Sequence, residues 1–245
     1  MLFAACLAAA AGMRAAGPKL TDGEQFRYGL YIGPVRAGDA VLSTKSVTYN
    51  GEKAYSMQLI GHTTKAADKI YSLHDTLTSI LDSDGTPLEY RKYAHEGDRN
   101  VSEKSVFTRS SDGKYVTKLR KVYTDGHVRE NQETGTSQVY DLISIMTMTR
   151  NMDTRNLYVG KRIDIQIVDG ADILHDCFVY NGRETLKVNG EKVQCLVFNV
   201  VEPKIEKGKT RDSDVLTIFV SDDDRRTIVQ LEINLGFGAV KAKLQ

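Results

Sequence analysis

The chain has 245 residues, 41% of them hydrophobic, with 33 Lys+Arg against 32 Asp+Glu. That size and apolar content suit one large β domain or two small ones and exclude a disordered chain. A net charge of +1, with acids and bases interspersed, gives no field to attract a polyanion, so no nucleic-acid partner is expected.

Residues 2–12 (LFAACLAAAAG) form an apolar run, closed by Arg14 and the small residues Ala15, Ala16 and Gly17. The run is far shorter than the roughly 20 residues of a spanning helix, and it reads as an export signal rather than a transmembrane segment. Residues 1–17 are therefore expected to be a signal peptide. Its basic opening segment is missing, so the true start is expected upstream of Met1. The mature chain, 18–245, is expected as one β domain, or as two β halves packed together and divided near 137–160. Its expected place is the periplasm or the outer membrane's surface. Leu2-Phe3-Ala4-Ala5-Cys6 loosely resembles a lipobox, but the apolar run continues through Leu7, which weighs against lipidation at Cys6.

Eight Asx-Gly dipeptides punctuate the rest: Asp22-Gly23, Asn50-Gly51, Asp84-Gly85, Asp112-Gly113, Asp125-Gly126, Asp169-Gly170, Asn181-Gly182 and Asn189-Gly190. Asn, Asp and Gly tolerate the positive φ of hairpin turns, so the dipeptides predict antiparallel meanders. Between them, alternating or β-rich segments predict strands at 26–32, 40–49, 54–63, 76–81, 88–95, 101–108, 115–123, 127–133, 162–168, 173–180, 193–201, 215–220, 227–233 and 239–244. In 115–123, Lys118 and Arg120 share one face, which is therefore wet. A helical turn is expected within 68–73. The one substantial helix is expected over 139–152 (VYDLISIMTMTRNM), with apolar residues at 139, 142, 143 and 146 and Ser137 as N-cap. Its apolar side would pack on the concave face of a sheet. The fold class is thus mostly β, with antiparallel curved sheets forming an open barrel or half-barrel around one main helix.

Chemistry is sparse. The histidines at 62, 74, 95, 127 and 175 show no His-x-His or His-x-x-x-His spacing, so no zinc site is expected on a single element. No nucleophile motif occurs. Cys177 and Cys195 are expected as free, buried thiols. If Asn181-Gly182 and Asn189-Gly190 both turn the chain, a strand at 183–188 separates them by roughly 9–10 Å, beyond the roughly 7 Å Cα limit of a disulfide. Residues 33–38 (GPVRAG) read as a turn or bulge, not a phosphate loop, because no helix follows. Ser221-Asp222-Asp223-Asp224 invites a calcium reading, but adjacent Asp side chains on extended backbone diverge and no Glu completes an EF-hand loop. An Asp-rich turn neutralised by Arg225 and Arg226 is the plainer expectation. Asp141 and Arg150 suit the two ends of the helix dipole.

Tyr140-Asp141-Leu142-Ile143-Ser144, Arg150-Asn151-Met152-Asp153 and Val159-Gly160-Lys161 resemble the central block of the DUF3108 family (domain of unknown function 3108), exported proteins of Gram-negative bacteria. The run from Phe219 to Val229 and the finish Gly236-Phe237-Gly238-Ala239 resemble its closing pattern. Gly23-Glu24 and Ala37-Gly38-Asp39-Ala40 fit its opening strands. Phe219 stands where members usually carry Trp, and Ile228 where they carry Pro. The resemblance implies an exported, strand-rich protein without an assigned activity. The family's curved sheets are similar in general plan to periplasmic lipid and lipoprotein carriers.

The expected function is non-enzymatic binding of a lipid, lipoprotein or other amphiphilic envelope ligand between sheet and helix. Met146, Met148 and Met152 would supply adaptable packing. The candidate ligand-binding residues are Tyr140, Asp141, Met146, Arg150, Ser221, Asp222, Asp223 and Arg226; no catalytic residue, metal ligand or cofactor is expected. The alternative is an interaction or scaffold module for an envelope protein partner, and a weaker one a hydrolase using paired carboxylates among Asp222, Asp223 and Glu202.

Overall fold

The computed structural model describes residues 20–69, 72–206, 209–234 and 239–245. The expected signal segment, Cys6 and the Gly236-Phe237-Gly238 motif lie outside them. In chain order the strands are β1 (Gln25–Ile32), β2 (Val35–Tyr49), β3 (Glu52–Thr63), β4 (Leu73–Leu81), β5 (Pro87–Glu96), β6 (Arg99–Arg109), β7 (Tyr115–Val122), β8 (Val128–Gly135), β9 (Val139–Tyr140), β10 (Arg162–Asp169), β11 (Asp172–Val188), β12 (Glu191–Glu206), β13 (Lys209–Ser221), β14 (Ile228–Asn234) and β15 (Ala239–Leu244). Helix α1 (Leu142–Arg150) lies between β9 and β10.

All fifteen strands share one sheet, ordered β8-β7-β6-β5-β4-β3-β2-β1-β15-β14-β13-β12-β11-β10-β9. Two antiparallel meanders, one from each half of the chain, are joined where β1 pairs with β15, Tyr28 opposite Leu244. The short β9 pairs parallel with β10, which makes the sheet mixed. Helix α1 touches β3 and β4 on one side and β13 on the other. Four strands separate β3 from β13 in the order, so the sheet must curl around the helix. The curl stops short of closure: β8 and β9 are the two ends of the order, and side chains tie β8 to the β10–β11 turn and the start of β11. Arg129 on β8 makes a bidentate pair with Asp172 at 2.6 and 2.7 Å, and Asn131 Nδ2 donates to the Ala171 carbonyl. The expected open, barrel-like β fold with one helix is the observed one.

Alternation drives the assembly. On β4, Leu77, Ser79 and Leu81 are buried and face the helix, while His74, Thr76, Thr78 and Ile80 point away. On β7, Thr117 and Leu119 are buried and Lys118 and Arg120 exposed, the wet face that the residue pattern predicts. The interior is filled by Ile143, Ile145 and Met146 of α1 together with Met57, Leu81, Phe178, Phe198 and Ile218. Burying each of these side chains contributes about 1.5–3 kcal/mol.

The structure corrects several expectations. Helix α1 starts at Leu142, not Val139, because Val139 and Tyr140 pair with Gln166 and Ile167 of β10. The N-cap is Asp141, not Ser137. The Asp141 carboxylate accepts from the Ile143 and Ser144 amides at 2.8 and 3.0 Å, while Ser144 Oγ accepts from the Asp141 amide at 2.8 Å. The helical turn expected in 68–73 is the short 3-10 turn Ala67–Lys69, and residues 70–71 lie outside the described residues.

Asn181-Gly182 is not a hairpin turn. It lies inside β11, where the register with β12 slips between Tyr180 and Gly182, and Gly182 has φ +96°. Bulges and tight turns both demand left-handed backbone, so the dipeptide alone does not distinguish them. No strand separates the two cysteines, which lie on neighbouring strands. Cys177 faces Val201 and Cys195 faces Glu184, about 20 Å apart along the strand, and both thiols are free and buried. Residues 33–38 are both turn and bulge: Gly33 begins the β1–β2 turn, and the register slips between Leu30 and Tyr31.

Candidate functional site

The expected ligand-binding residues divide into two groups at the ends of α1. At its N-terminus Asp141 is fully buried, and Ser79 Oγ on β4 donates to it at 2.8 Å. Burial pushes the Asp141 carboxyl up to about 6, against the pull of these hydrogen bonds. Tyr140 and Met146 pack in the same interior, Met146 with 0% exposure.

At the C-terminus Arg150 is 4% exposed and forms a bidentate pair with Glu24 at 2.7 and 2.8 Å. Its Nε donates to the Arg226 carbonyl at 3.0 Å. That contact draws in the Ser221–Arg226 turn. Asp222 accepts from Arg183 Nε at 2.6 Å and from Arg226 Nη1 at 3.1 Å. Asp223 accepts from Ser221 Oγ and from the Arg225 and Arg226 amides. Burial pushes its carboxyl up, but these hydrogen bonds outweigh burial and leave it below the usual value. Arg226 itself has φ +48°, a left-handed conformation that the Asp223 bonds hold in place.

These side chains anchor the helix inside the sheet. Both carboxylate oxygens of Asp222 are engaged by arginines, and Asp223 Oδ1 by a hydroxyl and two amides of the chain itself. Glu202 is remote from them: it pairs with Ser213 on β13, whereas Ser221 pairs with Cys195, seven residues or about 23 Å along β12. The three carboxylates weighed for hydrolysis therefore do not face one another. Two more interior acids resemble Asp141. Burial and then Glu96 push Asp75 up to about 6, and burial and then Glu202 do the same for Asp176, whose Oδ1 has no hydrogen-bond partner.

A second set of residues, unread in the sequence, gathers on the outer face. His62 pairs with His74 across β3 and β4, His74 with His95 across β4 and β5, and His95 with Asn100 across β5 and β6. The first two rings are nearly parallel with centroids 6.5 Å apart; the His74 and His95 rings lie 6.2 Å apart. His74 Nε2 is 3.7 Å from the Asp68 carboxylate, and His95 Nδ1 is 2.5 Å from Asn100 Oδ1. The histidines that look scattered in the sequence are thus aligned by strand register. Among the described residues, no three His, Cys, Asp or Glu side chains converge as a metal cage does.

Beside this row opens a groove of about 350 Å³ lined by His74, Thr76, Tyr93, His95, Ser102 and Thr124, among others. Its neighbour, of about 420 Å³, runs along Arg99, Tyr123, Asp125 and His127. Tyr93 is 57% exposed and presents its ring to the groove. The groove can stack a flat ligand on the phenol and exchange hydrogen bonds with imidazole, hydroxyl and amide groups around it.

Comparison with known proteins agrees with the fold. The sequence model of the family described as "Protein of unknown function (DUF3108)" matches residues 27–245. No curated protein matches the chain. The chain is similar to a beta-barrel-like protein of domain of unknown function DUF1849 from Brucella abortus, known from a crystal structure. Their TM-score is 0.56 at 14% identity, over 93% of this chain and 98% of that one. At that identity the likeness is one of fold. No helix among the described residues is long and apolar enough to cross a membrane. The match from residue 27 to the last, which spans the meanders, the helix and the Ser221–Arg226 turn alike, places the chain in the DUF3108 family.

Proposed function

We propose that this DUF3108 protein is an exported, non-enzymatic envelope protein that holds an amphipathic ligand in the outer groove formed by β4 to β7, not between sheet and helix. The observation that carries this reading is the exposed Tyr93 ring beside His74 and His95 in that groove. The space beneath the helix is already taken. Ile143, Ile145 and Met146 have at most 1% exposure, so a ligand there would have to displace α1 and its buried ion pair. A ligand with one flat apolar face and a polar edge, such as a sugar ring or a headgroup, matches the groove's lining. Export is supported by the apolar run at residues 2–12.

Native mass spectrometry of the protein purified from its own cells is expected to show a bound amphiphile, lost in Tyr93→Ala and kept in Tyr93→Phe. An amphiphile retained by Tyr93→Ala would return the site to the interior. One observation favours the docking-module alternative: β8 ends the sheet, with no strand on its outer edge. Crosslinking from a photoreactive residue at Glu130, an exposed position on β8, would capture such a partner in the envelope.

A further inference from the structure

We propose that the ligand of the outer groove is a single-chain anionic amphiphile, whose phosphate or like oxyanion meets the row Arg91, Lys104 and Arg120 and whose chain lies across the strands along a parallel apolar row. The inference rests on the groove reading and adds to it the charge and the shape of the ligand.

Successive strand pairings place Ile60, Thr76, Tyr93, Ser102, Val122 and Val128 in one row across β3 to β8. Five strand spacings separate its ends, roughly 24 Å at about 4.8 Å each. Ile60 is 43%, Tyr93 57% and Val128 39% exposed, so three of the eight large hydrophobic side chains exposed among the described residues fall in this one row. Tyr93, Ser102 and Val122 of the same row line the groove. An uncovered apolar band of that length marks a binding surface, and its narrow, extended form suits an acyl chain.

Two residues further along each strand, about 6.8 Å away on the same face, runs a second row, in which Arg91 pairs with Lys104 and Lys104 with Arg120. Like charges directly opposite one another are unfavourable. Neutralisation from within the chain is partial. Glu89 is shared by Arg91 at 2.5 Å and Lys104 at 3.3 Å, and Arg120 meets Glu130 at 3.1 Å. The three cationic side chains remain 47–49% exposed. Glu89's own row carries the exposed Lys45 and Lys118 as well. Arg91, Lys104, Arg120, Lys45 and Lys118 thus outnumber Glu89 and Glu130 on this face, although the whole chain carries only +1. An oxyanion among the two guanidiniums and the ammonium offsets that repulsion, and a guanidinium fork fits its oxygens.

The test uses the full, untagged chain freed of co-purified lipid. Myristoyl lysophosphatidylglycerol, myristoyl lysophosphatidylcholine and glycerol 3-phosphate are titrated by calorimetry, the lysolipids below their micelle concentrations. The anionic lysolipid should bind ~tenfold tighter than the zwitterionic one, with the difference shrinking as salt rises. Glycerol 3-phosphate should bind far more weakly than the anionic lysolipid. Arg91→Gln with Lys104→Gln should bring the two lysolipids to the same affinity. Lys187→Gln with Lys192→Gln, which discharges a like-charged pair on β11 and β12, should keep the difference. Ile60→Ser and Val128→Ser should each weaken both lysolipids. All these positions are exposed, so the melting temperature should not move. Equal affinity for the two lysolipids, both lost in Tyr93→Ala, overturns this inference and leaves the groove reading standing. Affinity for neither, or undiminished affinity in Tyr93→Ala, overturns both. Glycerol 3-phosphate binding as tightly as the anionic lysolipid overturns the apolar row as the seat of the chain.

Discussion

Asp141 concentrates several demands in one side chain. Its carboxylate caps α1, receives the Ser79 hydroxyl from β4 and is fully buried. Its carboxyl, like those of Asp75 and Asp176, is raised by burial to about 6, from about 3.9 in an unfolded chain. Below about pH 4 both states are protonated and this contribution to stability is intact. Between about 4 and 6 the folded state retains protons that the unfolded state has released, so stability falls as pH rises, and above 6 the contribution is lost. Asp141→Asn keeps an acceptor oxygen but does not titrate. Urea denaturation at pH 4.5 and 7 should therefore show a smaller loss between the two pH values in the variant than in wild type. Arg150→Ala should cost about 3 kcal/mol, because it strands a half-buried Glu24 and the Arg226 carbonyl. Arg150→Lys should fall in between, keeping the charge without the fork. The sequence places Asp141 and Arg150 at the helix ends through their residue types. It is silent on Glu24 and Ser79, which reach them from 126 and 62 positions away.

At the scale of elements, strand and turn positions were legible because alternation and Asx-Gly turns are local. Six of the eight dipeptides join consecutive strands. Asp22-Gly23 instead turns the chain into β1, and Asn181-Gly182 forms the β11 bulge. Gly182→Ala is expected to cost about 1–2 kcal/mol, since φ +96° is strained for any side chain. Gly38→Ala fails for a different reason: its Cβ would lie 2.2 Å from the His62 carbonyl oxygen. The β2–β3 ladder would have to part there, costing about 2 kcal/mol by thermal or urea denaturation. The same register carries the histidine row. His74 and His95 are equidistant from Asp84-Gly85, but the connection spans residues 82–86 with Leu81 opposite Pro87, and it is the register slip between Ile80 and Leu81 that brings the two histidines face to face. His62 could not be placed by spacing at all, because the β3–β4 connection carries no hairpin dipeptide.

Over the whole molecule, stability rests on the interior and on one long-range ladder rather than on the seam. The β1–β15 pairing is the join between the two meanders. Deleting residues 239–245 should expose two strand edges at the centre of the sheet and give insoluble protein. The seam pair Arg129–Asp172 is about half exposed on both sides. A double-mutant cycle there should return little or no coupling, because solvent screens the pair, with faster amide exchange in β8 and little change in melting temperature. Helix α1 gives the sheet its interior, and its burial explains why the space expected for a ligand is occupied by the chain's own side chains.

By itself the sequence determined the strand-rich class, most strand and turn positions, one helix and the family, because each is written in spacings of a few residues. The tertiary structure alone decided where the polar residues end up. Asp141, Arg150 and the Ser221–Arg226 turn became anchors for the helix, while His62, His74 and His95 became a row on the outer face. Strand register, which side chains far apart in the chain settle jointly as they bury one face of the sheet, makes that choice.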